Sequence, residues 1–186
     1  AGESYKKYEY PNIDVYLDSE DKIAAFVETK ILKADALSEE ETALRKALTL
    51  NPKSLEEDIL TMMNEMITVY MSKGQNSYIL SDFNSSAENY YRAGMLQKDS
   101  LINQPDAHET LYFAAVAAIQ GVNPQLAEPI LDELMKDQFY KDGEVIYYSA
   151  VIKDQLGKKD EAEKLYLMGV ENYPEKNKIL NALVSF

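Results

Sequence analysis

The chain has 186 residues, of which 46% are hydrophobic, enough for one domain or one run of repeats around an apolar core. Its formal net charge of −13 disfavours nucleic acid and anionic membrane surfaces as partners, and its longest apolar run, 111–119, is too short to cross a bilayer. Because it contains no cysteine, disulfides, thiolate metal sites and cysteine nucleophiles are excluded.

Few residues that break helices interrupt the chain, which has 7 glycines and 6 prolines, so long helices are expected throughout. Residues 1–18 are interpreted as an aromatic-rich lead-in. A first helix pair is predicted at 19–53, with helices over 19–34 and 39–50. Acidic residues near the start of each helix would offset the positive end of the helix dipole.

A second helix pair is predicted at 54–103. Its first helix, 55–72, carries apolar residues at spacings of three and four, the period of an amphipathic helix. An enlarged turn is expected over 73–86, because apolar residues there stand in a stretch without helix caps. One hypothesis is that this segment folds across the concave face of the helical array and narrows or occupies its groove. The role of the segment is otherwise undetermined.

The second half of the chain contains an internal repeat with an offset of 35 residues. The eight residues that begin at Glu109 match the eight that begin at Glu144 in size and polarity. Glycine and polar residues follow at 121–124 and 157–160, as expected for the turn between two helices. The repeat predicts three elements: helix pairs at 107–142 and 143–176 and an unpaired helix at 177–186.

Part of this pattern resembles the tetratricopeptide-repeat family. Small, aromatic and turn-forming residues stand at the family's spacings: Ala150, Gly157, Ala162, Tyr166, Gly169 and Pro174. The resemblance is strongest over 108–186. It implies an all-α fold, a right-handed superhelical array of antiparallel helix pairs with about four units and a terminal helix, in one domain over 1–186.

In that family the first helix of each pair lines a concave groove. The resemblance therefore implies a groove with these exposed partner-binding residues: Glu109, Tyr112, Val116, Glu144, Tyr147, Val151 and Asp154. An acidic groove with tyrosines suits a protein or peptide that carries lysine or arginine, through charge complementarity and cation–π contacts. We therefore interpret the chain as a protein-binding or peptide-binding scaffold.

No residue pattern points to catalysis, a metal or a cofactor. We therefore predict that the chain is not an enzyme and that it holds neither a metal nor a cofactor. His108 lies near Asp106 and Glu109, but the spacing is not that of a zinc motif. Asp106 is interpreted instead as the cap of the helix that follows it. The sequence has no phosphate-binding glycine loop and no nucleophile elbow.

Two alternative functions stay open. The chain could be a self-associating assembly subunit, since the terminal helix presents apolar residues that need cover: Ile179, Leu180, Leu183 and Phe186. It could also be an accessory component of glycan or nutrient uptake, since scaffolds of the resembled family occur in glycan-capture proteins. The compartment is undetermined: the cytoplasm or, if a signal peptide was removed, the periplasm or cell surface.

Overall fold

The computed structural model describes residues 5–11, 13–29, 36–50 and 52–186. Three strands come first: β1 (Lys6–Tyr10), β2 (Ile13–Leu17) and β3 (Ile23–Glu28). The helices in the described residues are α1 (Ala36–Leu50), α2 (Pro52–Ile79), α3 (Phe83–Gln97), α4 (Ala107–Gln120), α5 (Pro124–Lys136), α6 (Glu144–Gln155), α7 (Lys159–Asn172) and α8 (Asn177–Ser185). The molecule is mostly helical, and each helix packs on the next one along the chain. The all-α prediction is therefore correct for the helices but wrong for 6–28, where three strands form.

An antiparallel meander precedes the helices. β2 lies between β1 and β3, and the register places Tyr8 opposite Val15 and Val15 opposite Phe26. Residues of β2 alternate between apolar and polar types, and β-branched and aromatic residues favour the pleated strand. β3 contacts α2, with Ala25 fully buried, and this contact joins the meander to the helices.

The predicted helix over 19–34 is wrong, because residues 23–28 form β3; the end of that prediction lies outside the described residues. The acidic residues before β3 form a turn and not a helix start. The Asp18 carboxylate accepts hydrogen bonds from the backbone N–H groups of Lys22 (3.0 Å) and Glu20 (2.8 Å). These bonds lower the pKa of Asp18 and stabilise the turn that lets β3 return along β2.

The α2–α3, α4–α5 and α6–α7 connections share one backbone geometry. In each, one residue has a left-handed φ: Ser81 (62°), Val122 (53°) and Gly157 (76°). Its N–H donates to the carbonyl three residues back, at 3.0, 3.0 and 2.9 Å. The following N–H donates to the carbonyl five residues before it, at 2.8, 3.0 and 2.8 Å. These bonds satisfy the last carbonyls of the first helix, so the turns of all three hairpins are built alike.

The enlarged turn predicted over 73–86 is wrong. α2 continues to Ile79, and α3 begins after Asp82, whose side chain accepts a hydrogen bond from the N–H of Ser85 at 3.2 Å. This cap stabilises the start of α3 directly after the left-handed turn at Ser81. Every residue of this segment lies in a helix or a tight turn, so the hypothesis that it folds across a groove is wrong as well.

Small residues allow the central helices to approach closely. Five alanines of α4 are buried: Ala107, Ala114, Ala115, Ala117 and Ala118. On α3, a Cβ at Gly94 would lie 2.7 Å from Cγ of Leu111 on α4, so only glycine fits this contact. Close packing of α4 against both neighbours makes it the centre of the helical core.

The terminal helix α8 packs on α7. Ile179 is only 2% exposed, and it contacts Gly169 on α7. Leu183 packs in the same cluster, and the Phe186 ring centre lies 5.5 Å from that of Tyr166. The prediction that Ile179 takes part in self-association is therefore wrong, because its own chain covers it. Leu180, in contrast, is 42% exposed. None of the helices in the described ranges combines the length and apolar character of a membrane span.

Candidate functional site

Two rows of exposed or half-buried side chains run along α4 and α6. The row on α4 contains Glu109, Phe113, Val116 and Gln120, and the row on α6 contains Glu144, Tyr148, Val151 and Gln155. Each row follows the spacing of one helix face, and the two rows are related by the offset of 35 residues found in the sequence. We call these eight residues the α4–α6 face. Each position on one helix has a chemically similar counterpart on the other.

Aromatic rings lie along this face and beside it. Phe113, which is 50% exposed, has ring centres of Tyr90 and Tyr112 at 6.1 and 6.4 Å. On α6 the rings of Tyr147 and Tyr148 meet edge to face with centres 5.4 Å apart. These separations are within the range in which aromatic pairs attract each other, so the rings hold one another in place.

Tyr112 lies beneath the face and joins its two helices. The side chain is 8% exposed, and its hydroxyl donates a hydrogen bond to the carboxylate of Glu144. Burial, together with this bond, raises the pKa of the Tyr112 hydroxyl. The prediction that Tyr112 is an exposed groove residue is therefore wrong. Tyr112 is buried because it points from α4 toward α6 and fills the space between them.

Two lysines of the chain lie over these tyrosines. Nζ of Lys141 is 4.5 Å from the ring centre of Tyr112 and 2.5 Å from a carboxylate oxygen of Glu109. Nζ of Lys178 is 4.1 Å from the ring centre of Tyr147 and 4.8 Å from that of Tyr148. Burial and the nearby Glu144 raise the pKa of Tyr148. Both lysine contacts have the geometry of cation–π interactions.

The other predicted site residues lie on the face or at its border. Glu109, Val116, Glu144 and Val151 belong to the face, and Tyr147 borders it beneath Lys178. Asp154 lies near the α6–α7 turn, where it forms an ion pair with Lys159. That pairing leaves Asp154 less available to a ligand than an unpaired carboxylate.

The sequence interpretation missed Phe113, Tyr148, Gln120 and Gln155. A signal for them was present, because a glutamate, an aromatic residue, a valine and a glutamine recur at one spacing in both copies. A second aromatic pair, Tyr112 and Tyr147, recurs one position earlier in the two copies, so the sequence does not show which pair is exposed.

A buried lysine fixes α6 from the side away from this face. Lys153 is 7% exposed, and its Nζ lies 2.7 Å from Glu128 and 3.0 Å from Asp132 on α5. It also lies 3.5 Å from Glu161 on α7. Burial alone would lower the pKa of Lys153, but the hydrogen bonds to Glu128 and Asp132 outweigh it and raise that pKa. The network therefore ties three helices together through one ammonium group.

His108 lies beside a second ion-pair cluster. Its Nε2 is 3.0 Å from Asp137, which also pairs with Lys98, and its ring stacks on Phe139. Asp106 is the N-cap residue of α4, but its side chain makes no capping hydrogen bond, so the predicted cap is wrong. Within the ranges that the structure describes, no group of three or more histidine, aspartate or glutamate side chains could hold a metal ion.

Comparison with protein-family models, with curated proteins and with solved structures finds no match to this chain. The α4–α6 face combines carboxylates, aromatic rings and amides on two helices that the buried contacts hold in fixed positions.

Proposed function

We propose that the chain is a binding scaffold that holds a basic protein or peptide segment on the α4–α6 face. One observation carries the proposal: lysines of the chain itself lie over tyrosines that belong to the face, border it or lie beneath it. Lys141 lies over Tyr112 and pairs with Glu109, and Lys178 lies over Tyr147 and Tyr148. An incoming lysine or arginine would find the same two kinds of contact at Phe113 and Glu144, which stand on the face.

The charge of the chain supports the same class of ligand. A net charge of −13 attracts basic segments over distances of about one Debye length, roughly 8–10 Å at physiological salt. Glu109 and Glu144 then provide charge at fixed positions on the face, and Val116 and Val151 provide apolar surface between them. The proposed role requires no catalytic step and no cofactor.

We also propose that the helices form a tetratricopeptide-like array. The packing of each helix on the next along the chain supports this arrangement, together with the turn geometry that α2, α4, α5 and α6 share at their ends. So does the packing of α6 on α7, where Ala150 and Ala162 have no exposed surface and Tyr166 is 4% exposed. In such an array α2, α4, α6 and α8 are the first helices of successive pairs, and α1 is a second helix whose first is replaced by the meander.

Binding of fluorescent peptides tests the proposed function. The probes are an extended peptide rich in lysine and arginine and a matched peptide with aspartate and glutamate at the same positions, followed by fluorescence polarisation. We expect the basic peptide alone to bind. Because the attraction is partly electrostatic, we expect its Kd to rise as salt is added.

A matched pair of alanine variants locates the site. Phe113 on the face and Leu167 on α7 are 50% and 52% exposed, so each substitution removes a similarly exposed apolar side chain. We expect Phe113→Ala to weaken binding about tenfold and Leu167→Ala to leave it unchanged. Equal binding of acidic and basic peptides, or an equal effect of the two variants, would contradict the proposal. A sugar array without hits would separate this function from glycan capture.

A further inference from the structure

The meander ends in an open edge. β1 pairs with β2 on one side, and no strand among the described residues pairs with its other side. All five residues of β1 are exposed. An edge strand presents a row of backbone N–H and C=O groups that can extend the sheet with another strand, and proteins that do not use such an edge usually block it. β1 contains no proline and no bulge, and its charged residues, Lys6, Lys7 and Glu9, require matching charges on a strand that pairs with it.

The order of residues in β1, Lys6-Lys7-Tyr8-Glu9-Tyr10, is complementary to itself in the antiparallel direction. When two copies pair about Tyr8, Lys7 of each copy faces Glu9 of the other, and Lys6 faces Tyr10. Moving the centre to Lys7 places two lysines opposite each other, and moving it to Glu9 places two glutamates opposite each other. In each of these three registers one residue faces its own copy. Because side chains alternate along a strand, the two sheets then present the same face on the same side.

One face of the meander supports the same register. Tyr8 (47% exposed), Tyr10 (56%) and Phe26 (45%) lie on one side of the sheet, as the cross-strand register requires. Pairing about Tyr8 makes the two copies of this aromatic face continuous across the junction. On the opposite side Lys7 already contacts its own Glu9 and Asp14, each at 2.8 Å. A Glu9 from a second copy adds a carboxylate to a lysine that stands between acidic groups.

We propose that two copies of this chain associate through β1, antiparallel and centred on Tyr8, to form one six-stranded sheet. The interface is a single strand edge with its flanking side chains, smaller than the roughly 1,200 Å² that a stable complex needs, so the dimer is weak and concentration-dependent. This surface is separate from the α4–α6 face. The proposal therefore stands whether or not that face binds a basic segment.

Charge exchange tests the register. Glu9→Lys places Lys7 opposite another lysine in the dimer, and Lys7→Glu combined with Glu9→Lys restores opposite charges with the positions exchanged. Sedimentation equilibrium over a concentration series that reaches the millimolar range measures the dimer Kd. We expect Glu9→Lys to raise the Kd about tenfold and the double variant to return it to that of the original chain. Glu20→Lys, in the exposed β2–β3 turn, changes the net charge by the same amount and should leave the Kd unchanged.

A single engineered thiol tests the same register by a different route. The chain contains no cysteine, so Tyr8→Cys introduces its only thiol, and two such residues face each other in the dimer. Paired residues on antiparallel strands have Cα atoms about 4.5–5.5 Å apart, which suits a disulfide. Tyr10→Cys is the matched control, because its two copies are separated by about 14 Å along the strands. We expect fast oxidative cross-linking of Tyr8→Cys alone.

Three results would overturn the proposal. The first is a chain that stays monomeric throughout the concentration series. The second is a dimer whose Kd does not respond to Glu9→Lys, which would assign association to another surface such as the exposed Leu180 on α8. The third is equal cross-linking of Tyr8→Cys and Tyr10→Cys.

Discussion

The meander and the α4–α7 hairpins differ most in how much apolar surface they bury. Leu111, Ile130 and Ile146 in the hairpins have no exposed surface. In the meander Ile23 is 70% exposed, and Ala25 is the only buried residue among the strand residues whose exposure the structure describes. Because the free energy of burial grows with the apolar area removed from water, the helices supply most of the stability. The meander keeps its apolar residues at the surface, where they are available for contact.

The largest expected effect compares one side chain from each region. Leu111→Ala removes a fully buried side chain beside Gly94, and we expect it to lower the free energy of unfolding by about 2–5 kcal/mol. Phe26→Ala removes a half-exposed ring from the meander, and we expect a loss under about 1 kcal/mol. Urea unfolding followed by circular dichroism measures both. Similar losses would show that the two regions do not differ as described.

The buried ion-pair network gives the next effect. Lys153→Met keeps most of the apolar stem but removes the ammonium that Glu128 and Asp132 share. We expect a loss of about 1.5–3 kcal/mol, the range for hydrogen bonds to charged groups. Lys159→Met is the control, because the Lys159 side chain is 60% exposed and its loss should change stability by under about 0.5 kcal/mol. If the Lys153 variant is as stable as the control, the ion-pair network does not stabilise the fold.

Acid should weaken the helical region through the same contacts. The hydrogen bond from Lys153 holds the pKa of Glu128 below its ordinary 4.5, and the one from Lys98 does the same for Glu133. A carboxyl group with a lowered pKa stabilises the fold above its ordinary pKa and loses that contribution as the pH falls through its folded pKa. We therefore expect the free energy of unfolding to decrease below pH 4.5. We expect Glu128→Gln to make the free energy of unfolding depend less on pH, as measured by urea unfolding at several pH values. The same pH dependence in the variant as in the original chain would contradict this expectation.

The smallest effect compares two copies of one turn. Val122 and Gly157 occupy the same left-handed position, with φ of 53° and 76°. A left-handed φ costs a residue with a side chain roughly 1–2 kcal/mol. Glycine avoids this cost, but the greater entropy of glycine in the unfolded chain offsets about 0.5–1 kcal/mol of the gain. Val122 is 84% exposed, so its replacement loses little packing. We expect Val122→Gly to stabilise the protein by about 0.5–1 kcal/mol in thermal unfolding and Gly157→Val to destabilise it; the reverse signs would show that the turns differ.

The helices at 107–136 and 144–172 lie where the 35-residue repeat predicts helix pairs, because both copies carry helix periodicity and turn residues. The exposed side of α4 was harder to predict. Nearly every position from Leu111 to Ile119 is apolar, so the period does not show whether Tyr112 or Phe113 faces water.

The meander could not be predicted from periodicity alone. Residues 23–27 form a continuous apolar run, which fits a strand or a buried helix equally well. The deciding features are the alternation along β2 and the Asp18 side chain that closes the turn. The tight α2–α3 turn escaped prediction for a related reason, since Ser81 adopts a left-handed φ without being glycine.

The most direct test of the proposed binding face is an NMR titration of the isotope-labelled chain with the lysine-rich and arginine-rich peptide. We predict amide shifts along one side of α4 and α6, including Phe113 and Tyr148, and at Lys178, which must share its tyrosines with the ligand. The rear surface of α7 around Leu167 should not respond. Shifts confined to α7 or to the meander, or no shifts at saturating peptide, would contradict the account.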